Sequence, residues 1–264
     1  MLPFEQNVAD IYGILDTAEG GHSVAQFRSL PQANQYRLLY SLVARHMPRG
    51  ARVLDWGSGN GHFSFFLARQ GATVTSYSYE REPAIFSLLE PAERARVAFV
   101  PGAQGGSTSI LPFDDASFDC VFSIGVLEHV REMGGSEEGS LAEIHRVLRP
   151  GGRFVCYHLP NQFSWIEALN RLVHGPLDPS MRIPWKYHKY RFTRPAIAAL
   201  CTGAGFSVTE MHRYGALPRN VLGRVPGRLR GSRRLSTALN AIDLVLEKAL
   251  TPISQNYAFV ATRP

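Results

Sequence analysis

An α/β fold with a seven-stranded, mostly parallel sheet is predicted by three features of the sequence. From residue 51 onward, apolar runs with strand patterning alternate with helical patterns, and this alternation is typical of parallel sheets. The turn after the first predicted strand carries three glycines at alternate positions and leads directly into a helix. The length of 264 residues suffices for one large α/β domain, or for one such domain with an elaborated cap.

The individual elements follow in a regular order. Residues 34–47 have apolar positions at helical spacing, and Pro48 and Gly50 end this helix just before the first strand. Strands are predicted at 52–55, 73–78, 97–100, 118–124, 152–158, 206–212 and 256–262, and helices at 62–70, 82–90, 140–148 and 194–204. The segment between the last two strands is too long for a tight hairpin, so we interpret it as an insertion with an amphipathic helix near 235–250.

These elements divide the chain into four parts. Residues 1–50 are predicted to form an N-terminal helical lid, and residues 51–212 form the ligand-binding core, with an acceptor loop at about 159–193. Residues 213–255 form a basic helical insertion, and residues 256–264 supply the last strand of the core.

Composition and charge exclude several classes of protein. Hydrophobic residues make up 45% of the chain and charged residues 19%, as in soluble globular proteins. No apolar run approaches the roughly 20 residues that cross a bilayer, and residues 1–10 lack the basic start and apolar centre of a signal peptide. The three cysteines, Cys120, Cys156 and Cys201, lie far apart, which is typical of reduced thiols rather than a disulfide framework. We therefore expect a cytoplasmic protein.

The stretch VLDWGSGNG, residues 53–61, predicts a site for a nucleotide-like ligand. Its glycines, Gly57, Gly59 and Gly61, permit positive φ and a close approach of ligand to backbone, at the end of a strand where open α/β sheets bind ligands. The spacing is G-x-G-x-G, with Asp55 two residues ahead, and this differs from the dinucleotide-binding G-x-G-x-x-G. The stretch resembles the first motif of class I S-adenosylmethionine (SAM)-dependent methyltransferases, a hydrophobic residue followed by L-D/E-x-G-x-G-x-G.

Two later stretches carry the same resemblance in the same order. LPFDDASFDCVFSIGVLEHV covers residues 111–130, and SLAEIHRVLRPGGRFVCYHLPN covers residues 140–161. In this family the first leads into the fourth strand and the second leads into the fifth. The resemblance spans about residues 51–160 and is to small-molecule, ubiquinone-type O-methyltransferases. It implies a Rossmann-like fold and SAM as co-substrate.

The resemblance also implies which residues hold SAM. The residues expected around its methionine part are Asp55, Gly57, Ser58, Gly59, Asn60 and Gly61. Family members usually carry an acidic residue for the ribose hydroxyls after the second strand. The aligned position here is Ser78, so Glu80 is the predicted ribose ligand, because a carboxylate accepts two hydrogen bonds. Ser123, near the end of the fourth strand, should meet the cofactor. The candidates for adenine are Gln104, Ser107, Thr108 and Ser109.

Two histidines are candidates for removing a proton from a hydroxyl acceptor. His129 and His158 are expected at the carboxyl ends of the fourth and fifth strands, and histidine suits this task near neutral pH. His129 has the alternative role of orienting a loop. His22, His188 and the aromatic run PWKYHKYRF belong to the predicted lid and acceptor loop. The aromatic residues of that run, Trp185, Tyr187, Tyr190 and Phe192, either line an acceptor pocket or pack beneath the loop.

No metal is expected at this site. The ubiquinone-type O-methyltransferases resembled here use E-x-x-E-H as metal ligands. Glu128 and His129 are present in this chain, but Gly125 replaces the first glutamate, and tight divalent sites need convergent ligands.

We therefore expect an enzyme that transfers the methyl group of SAM to a small-molecule or lipid-linked acceptor, at a hydroxyl oxygen. Methylation at nitrogen or carbon, and a non-catalytic SAM-binding module, are the alternatives. A nucleic-acid partner is not expected, because no N-P-P-[YFW] motif for flipped bases occurs. The sequence does not indicate an oligomeric state.

The basic character of the chain is concentrated in one segment. Residues 213–234 contain seven arginines and no Asp, Glu or Lys, so the remainder of a chain with net charge +6 carries −1. The helix that follows has four leucine or isoleucine residues on one face, namely Leu235, Leu239, Ile242 and Leu246. This pattern is typical of helices that lie on an anionic membrane. Two predictions follow for residues 213–250: peripheral contact with the inner membrane surface, or a helix packed on the sheet with its arginines in solvent or on an acidic acceptor.

Overall fold

One seven-stranded sheet organises the computed structural model of this protein, which describes residues 3–17, 24–102, 110–174 and 189–264. The strands are β1 (Arg52–Trp56), β2 (Thr73–Ser78), β3 (Val97–Pro101), β4 (Phe118–Ile124), β5 (Leu148–Pro160), β6 (Ser207–Tyr214) and β7 (Asn256–Thr262). Their order in the sheet is β3-β2-β1-β4-β5-β7-β6. Strands β1 to β5 are parallel, and β7 lies antiparallel between β5 and β6. The predicted seven-stranded, mostly parallel sheet is therefore confirmed.

Helices surround the sheet. The α-helices of the described residues are α1 (Pro3–Thr17), α2 (Leu30–Ala33), α3 (Arg37–His46), α4 (His62–Arg69), α5 (Pro91–Arg94), α6 (Glu137–Val147), α7 (Trp165–His174), α8 (Arg194–Gly203), α9 (Gly227–Arg230) and α10 (Arg233–Ala249). Short 3₁₀ helices lie at Ala25–Phe27, Asn34–Tyr36, Ala84–Leu88, Leu127–Met133, Arg219–Arg224 and Thr251–Ile253. Within the described ranges, no helix combines the length and apolar character that a membrane span requires.

The helix predicted at 82–90 was wrong. Its residues form the 3₁₀ helix Ala84–Leu88, and α5 begins only at Pro91. Proline cannot donate the backbone hydrogen bond that an α-helix interior needs, so Pro83 and Pro91 confine the regular structure to these two short pieces. Similarly, the helix predicted at 34–47 starts as a 3₁₀ turn before α3.

Successive residues of the central strands pack on opposite faces of the sheet. In β1, Val53 lies in one apolar cluster and Leu54 in the other; in β4, Phe122 and Val121 are divided in the same way. Side chains alternate across a strand, so a strand buried on both faces needs apolar residues in sequence rather than at every second position. This explains why the central strands are read so clearly from the sequence.

The N-terminal helices share a core with one face of the sheet. Buried residues of α1, α2 and α3 belong to the same apolar cluster as α4. The Tyr40 ring of α3 stacks on Phe66 of α4, with ring centroids 3.8 Å apart. Aromatic side chains bury large apolar areas, so this contact fixes the N-terminal helices beside the glycine-rich turn.

The buried contacts of helix α10 are polar, and we call this cluster of Asp243, Arg37 and Arg219 the polar seam. Ser236, Asn240 and Asp243 are its buried residues. Asp243 Oδ2 accepts hydrogen bonds from Arg37 and Arg219, both at 2.9 Å. Because this carboxylate is fully buried, losing it would leave Arg219 without the carboxylate it pairs with, and Arg37 with Glu247 alone. The seam therefore fixes α10 against the N-terminal helices.

Candidate functional site

The glycine-rich turn lies between β1 and α4, at the carboxyl end of the central strands. All three glycines have positive φ: +77° at Gly57, +49° at Gly59 and +76° at Gly61. A Cβ atom at Gly57 would lie 2.3 Å from the Val126 side chain, and one at Gly61 would lie 2.6 Å from Pro83. A Cβ atom at Gly59 would meet nothing within 4 Å. Gly57 and Gly61 are thus required by contacts within the protein, and Gly59 is the glycine that faces open space.

Hydrogen bonds tie the turn to its surroundings. The amides of Gly57 and Ser58 donate to the Tyr77 carbonyl at 2.9 and 3.0 Å. The Ser58 hydroxyl is buried and accepts from Ser76 on β2 at 2.7 Å. The Asn60 amide donates to the Gln26 side chain at 2.8 Å, so the N-terminal segment contacts the turn directly.

Asp55 lies at the end of β1, beneath the turn. Its side chain is buried, and the Ser64 hydroxyl donates to its Oδ2 at 2.6 Å. Burial raises the pKa of Asp55 to about 7, although the hydrogen bonds from Ser64 lower it. The carboxyl group is therefore poised between its neutral and charged forms near neutral pH, and a bound cation would favour the charged form.

The remaining predicted cofactor residues differ in their exposure. Glu80 is exposed just after β2, and its backbone N–H donates to the Ser78 hydroxyl at 3.1 Å. Ser123 is fully buried inside β4, so its hydroxyl is enclosed, and the half-buried Gly125 directly follows this strand. Gln104 lies outside the described residues, as do the other adenine candidates.

His158 occupies an unusual backbone position on β5. Its φ is +72°, and the pairing of β5 with β7 shifts register between Tyr157 and Leu159. A positive φ is uncommon for a residue with a side chain, and such strain and strand bulges concentrate at functional sites. The His158 side chain is half-buried.

A chain of hydroxyl groups holds the His158 ring. Its Nδ1 lies 2.8 Å from the Tyr214 hydroxyl oxygen, which also accepts the His158 backbone N–H at 3.0 Å. The Tyr157 hydroxyl donates to the Gln35 carbonyl at 2.7 Å, and the Tyr157 and Tyr214 rings stack 4.4 Å apart. Burial raises the pKa of both tyrosines, and a hydrogen bond between their side chains raises the pKa of Tyr214 further and opposes the rise at Tyr157.

Tyr36 connects this histidine with the glycine-rich turn. Its ring meets His158 edge-on, with centroids 5.5 Å apart, and lies 4.8 Å from the ring of His62 at the start of α4. It also stacks on Phe27 at 5.8 Å. Burial lowers the pKa of His62 to about 4, so this imidazole is neutral. The predicted proton acceptor and the predicted cofactor turn are therefore separated by about one aromatic ring.

Sequence reasoning missed three residues of this cluster: Tyr36, His62 and Tyr214. His62 directly follows the glycine motif, and this position in the sequence could have identified it as a site residue. Tyr214 ends β6, and only the strand order β5-β7-β6 brings it to His158. Tyr36 lies in a 3₁₀ turn, where the helical pattern gave no reason to single it out.

The Glu128–His129 pair does not form one site. Glu128 is buried, its Oε2 has no hydrogen-bond partner among the described residues, and burial raises its pKa to about 8. The His129 side chain is 47% exposed, and its Nδ1 lies 3.5 Å from Glu132. One side chain thus faces the interior and the other faces solvent. The described ranges contain no group of three or more His, Cys, Asp or Glu side chains that could hold a metal ion.

The predicted acceptor loop is described only in part. His22, Trp185, Tyr187 and His188 lie outside the described residues. Phe192 is buried in the apolar core. The Arg131 guanidinium lies 5.1 Å from the Tyr190 ring. Both aromatic residues border a groove of about 580 Å³ between α6 and α8, and none of its lining residues belongs to the glycine-rich turn.

Comparisons with known proteins agree with this architecture. A family model described as a methyltransferase domain matches residues 54–156. The ubiquinone biosynthesis O-methyltransferase of Xylella fastidiosa is 30% identical over 196 residues, covering 70% of this chain and 72% of that protein. Sterol methyltransferase-like 2 of Botryococcus braunii is 31% identical over 168 residues, 61% of this chain. That match spans only 41% of the algal protein, and the match to sterol methyltransferase-like 1 of the same organism spans 37% of that protein.

A solved structure extends the likeness to the whole fold. The 1,6-didemethyltoxoflavin-N1-methyltransferase of Burkholderia thailandensis, solved with 1,6-didemethyltoxoflavin and S-adenosylhomocysteine, gives a TM-score of 0.53 at 21% identity. The comparison covers 100% of this chain and 91% of that protein. At this identity the likeness concerns the fold.

Proposed function

The chain belongs to the class I SAM-dependent methyltransferases, and from this membership we propose that it transfers the methyl group of SAM to a hydroxyl oxygen of a small-molecule or lipid-linked acceptor. The observation that carries the choice of oxygen is the His158–Tyr214 contact at 2.8 Å. Transfer to a hydroxyl requires a group that removes a proton, and this contact prepares a histidine for that step.

Two features of the turn support SAM as its ligand. The backbone at Gly59 faces open space, where a ligand can approach the chain closely. Asp55 is a buried carboxyl whose charged form a cationic amino group would stabilise. We propose that Asp55 and residues 57–61 hold the methionine part of SAM, and that the exposed Glu80 binds its ribose.

The hydroxyl chain determines which nitrogen of His158 can accept a proton. The Tyr214 oxygen accepts from the His158 backbone, and the Tyr157 hydroxyl donates to the Gln35 carbonyl. We propose that Tyr214 directs its own proton to the Tyr157 oxygen. Tyr214 therefore accepts from Nδ1–H of His158 as well. In a neutral imidazole that carries its proton on Nδ1, the other nitrogen, Nε2, is the basic one.

The proposed reaction then follows. When bound, SAM supplies an electrophilic methyl group on a sulfonium. The acceptor oxygen forms a bond to the methyl carbon, the carbon–sulfur bond breaks, and its electron pair stays on sulfur. His158 Nε2 takes the hydroxyl proton, and the Tyr214 oxygen stabilises the resulting imidazolium through Nδ1–H. The turn and the Tyr36 ring hold the two partners in line, and such positioning supplies much of the rate of a displacement.

Substitution of His158 tests this proposal. His158→Asn is the suitable variant, because asparagine tolerates the positive φ at this position. Methyl transfer from labelled SAM to components of a host-cell extract should fall ~10²–10⁴-fold while S-adenosylhomocysteine affinity stays the same. The exposed His129→Asn serves as the matched control and should retain activity. Full activity of His158→Asn would refute His158 as the base.

A second substitution separates positioning from structure. Tyr214→Phe keeps the stacked ring but removes the oxygen that accepts from Nδ1. We expect a lower kcat with an unchanged KM for SAM, and nitrogen NMR of the histidine rings should show the loss of the single Nδ1–H tautomer. An unchanged His158 tautomer in this variant would contradict the assigned hydroxyl chain.

The same transfer assay distinguishes the two alternatives, methylation at nitrogen or carbon and SAM binding without catalysis. Mass spectrometry of the labelled fraction identifies the methylated atom. An N-methyl or C-methyl product would show that the acceptor atom is nitrogen or carbon instead of oxygen. Binding of S-adenosylhomocysteine without transfer to any fraction would favour a SAM-binding module without catalysis.

A further inference from the structure

The apolar side of α10 is only partly covered by the described residues. Its buried residues are polar, and apolar residues occupy the neighbouring circumference, where Leu235, Leu239 and Leu246 are partly buried and the others are exposed. Ile242 is 48% exposed and Val245 is 67% exposed. On a helix with 3.6 residues per turn, positions three, four and seven apart share one face. The members of this apolar stripe are Leu235, Ala238, Leu239, Ile242, Val245, Leu246 and Ala249.

The arginines next to α10 fall into two groups. Arg219 is buried on Asp243, and Arg213 lies over the Tyr257 ring at 5.4 Å, so both serve the fold. The other five are exposed and form no ion pair with any described residue. These five are Arg224, Arg228, Arg230, Arg233 and Arg234. Residues 211–242 contain no Asp or Glu, so nothing within this segment neutralises them.

We propose that this basic apolar face, defined by the five exposed arginines and the apolar stripe of α10, docks on an anionic lipid bilayer. An exposed apolar surface beside uncompensated positive charge matches an interface of acyl chains and anionic headgroups. A second copy of the same face is a poorer occupant, because it would bring like charges together. The alternative prediction, a helix packed on the sheet, is corrected by the structure: the buried residues of α10 are polar and contact the N-terminal helices.

Docking would place the site near the membrane. The buried side of α10 contacts the segment directly after Tyr214: Glu247 accepts from the Gly215 amide at 2.8 Å, and Asp243 accepts from the Leu217 amide at 2.9 Å. Helix α10, which would contact lipid, is therefore adjacent to the segment that follows Tyr214, and Tyr214 contacts His158. This inference rests on the proposed methyl transfer for its consequence: it selects the lipid-linked acceptor over a freely diffusing one.

Vesicle co-sedimentation of the full chain tests the docking without any need for activity. We expect binding to vesicles of phosphatidylcholine mixed with phosphatidylglycerol, weak binding to phosphatidylcholine alone, and release at high salt. Arginine contributes up to ~1 kcal/mol near an anionic surface, about fivefold in partitioning, so Arg228→Ser, Arg233→Ser and Arg234→Ser together should weaken binding by roughly a hundredfold. A matched control replaces three exposed arginines elsewhere, Arg49, Arg171 and Arg194.

The apolar contribution is tested separately with Val245→Ser and Ile242→Ser, which are surface changes that should not disturb the fold. Binding that survives all these variants, or no binding at low salt, overturns the proposal. A concentration-dependent dimer that the same serine variants abolish would assign the face to a second copy instead. Loss of vesicle binding with methyl transfer to soluble fractions intact would overturn the lipid-linked acceptor but leave the methyltransferase activity standing.

Discussion

Asp55 should make the binding of S-adenosylhomocysteine depend on pH around neutrality. Burial raises the pKa of this carboxyl to about 7 in the ligand-free protein. We propose that the amino group of the ligand binds the charged form, so binding requires loss of the proton. With one linked proton, lowering the pH from about 8 to about 6 should weaken binding about tenfold, or about 1.4 kcal/mol.

The folding stability of the ligand-free protein depends on pH in the opposite direction to its ligand affinity. The folded pKa of Asp55 lies above the unfolded value of about 3.9, so the stability that this group contributes is present at low pH and is lost as the pH rises through about 7. A bound ligand that favours the carboxylate should therefore raise Tm more at pH 8 than at pH 6. Thermal unfolding with and without S-adenosylhomocysteine measures this difference.

Calorimetry of S-adenosylhomocysteine binding at several pH values measures this dependence directly, and two variants test whether Asp55 causes it. Asp55→Asn should bind more weakly and lose the pH dependence between 6 and 8. Ser64→Ala removes the hydroxyl that donates to Asp55 at 2.6 Å and favours its charged form, so the inflection should move to higher pH. An affinity that is flat across this range in the unsubstituted protein would refute Asp55 as the charged partner of the ligand.

Two further predictions concern the turn and the polar seam. Gly59→Asn keeps a residue that tolerates φ of +49° but places a side chain in open space, so we expect S-adenosylhomocysteine binding to be lost in calorimetry while Tm is retained; unchanged affinity would exclude the turn as the ligand site. Asp243→Asn leaves Arg219 and Arg37 without their shared carboxylate and should destabilise the protein by about 3–5 kcal/mol, which urea unfolding measures. The exposed Asp114→Asn is its control, and equal stability of the two variants would contradict the importance of the seam.

The parts of the fold that sequence reasoning predicted are those determined by neighbours in the chain. The bounds of β4 and β7 agree with prediction because both strands are apolar runs ended by turn residues. Likewise, the glycine motif fixes its own strand, turn and helix. In each case the deciding interactions lie within a few residues, so the linear pattern contains them.

The parts that could not be predicted depend on distant residues. His158 was a candidate by position, but its partner Tyr214 is 56 residues away and two strands across the sheet. The periodicity of α10 showed that the helix is amphipathic without showing which side is buried. That choice is made by Arg37, 206 residues away from Asp243. Charged groups that find partners across the fold reverse the usual expectation that the apolar side faces inward.

The position of Tyr36 has a consequence for how the site opens. Its ring lies against His62, which starts the helix after the turn, and against His158. Since α3 continues directly from the 3₁₀ turn that carries Tyr36, a displacement of the N-terminal helices would withdraw this ring from both histidines in one movement. Exchange of the spent co-substrate and entry of water to the proposed proton acceptor would then occur together, so product departure and hydration of His158 would be one kinetic event.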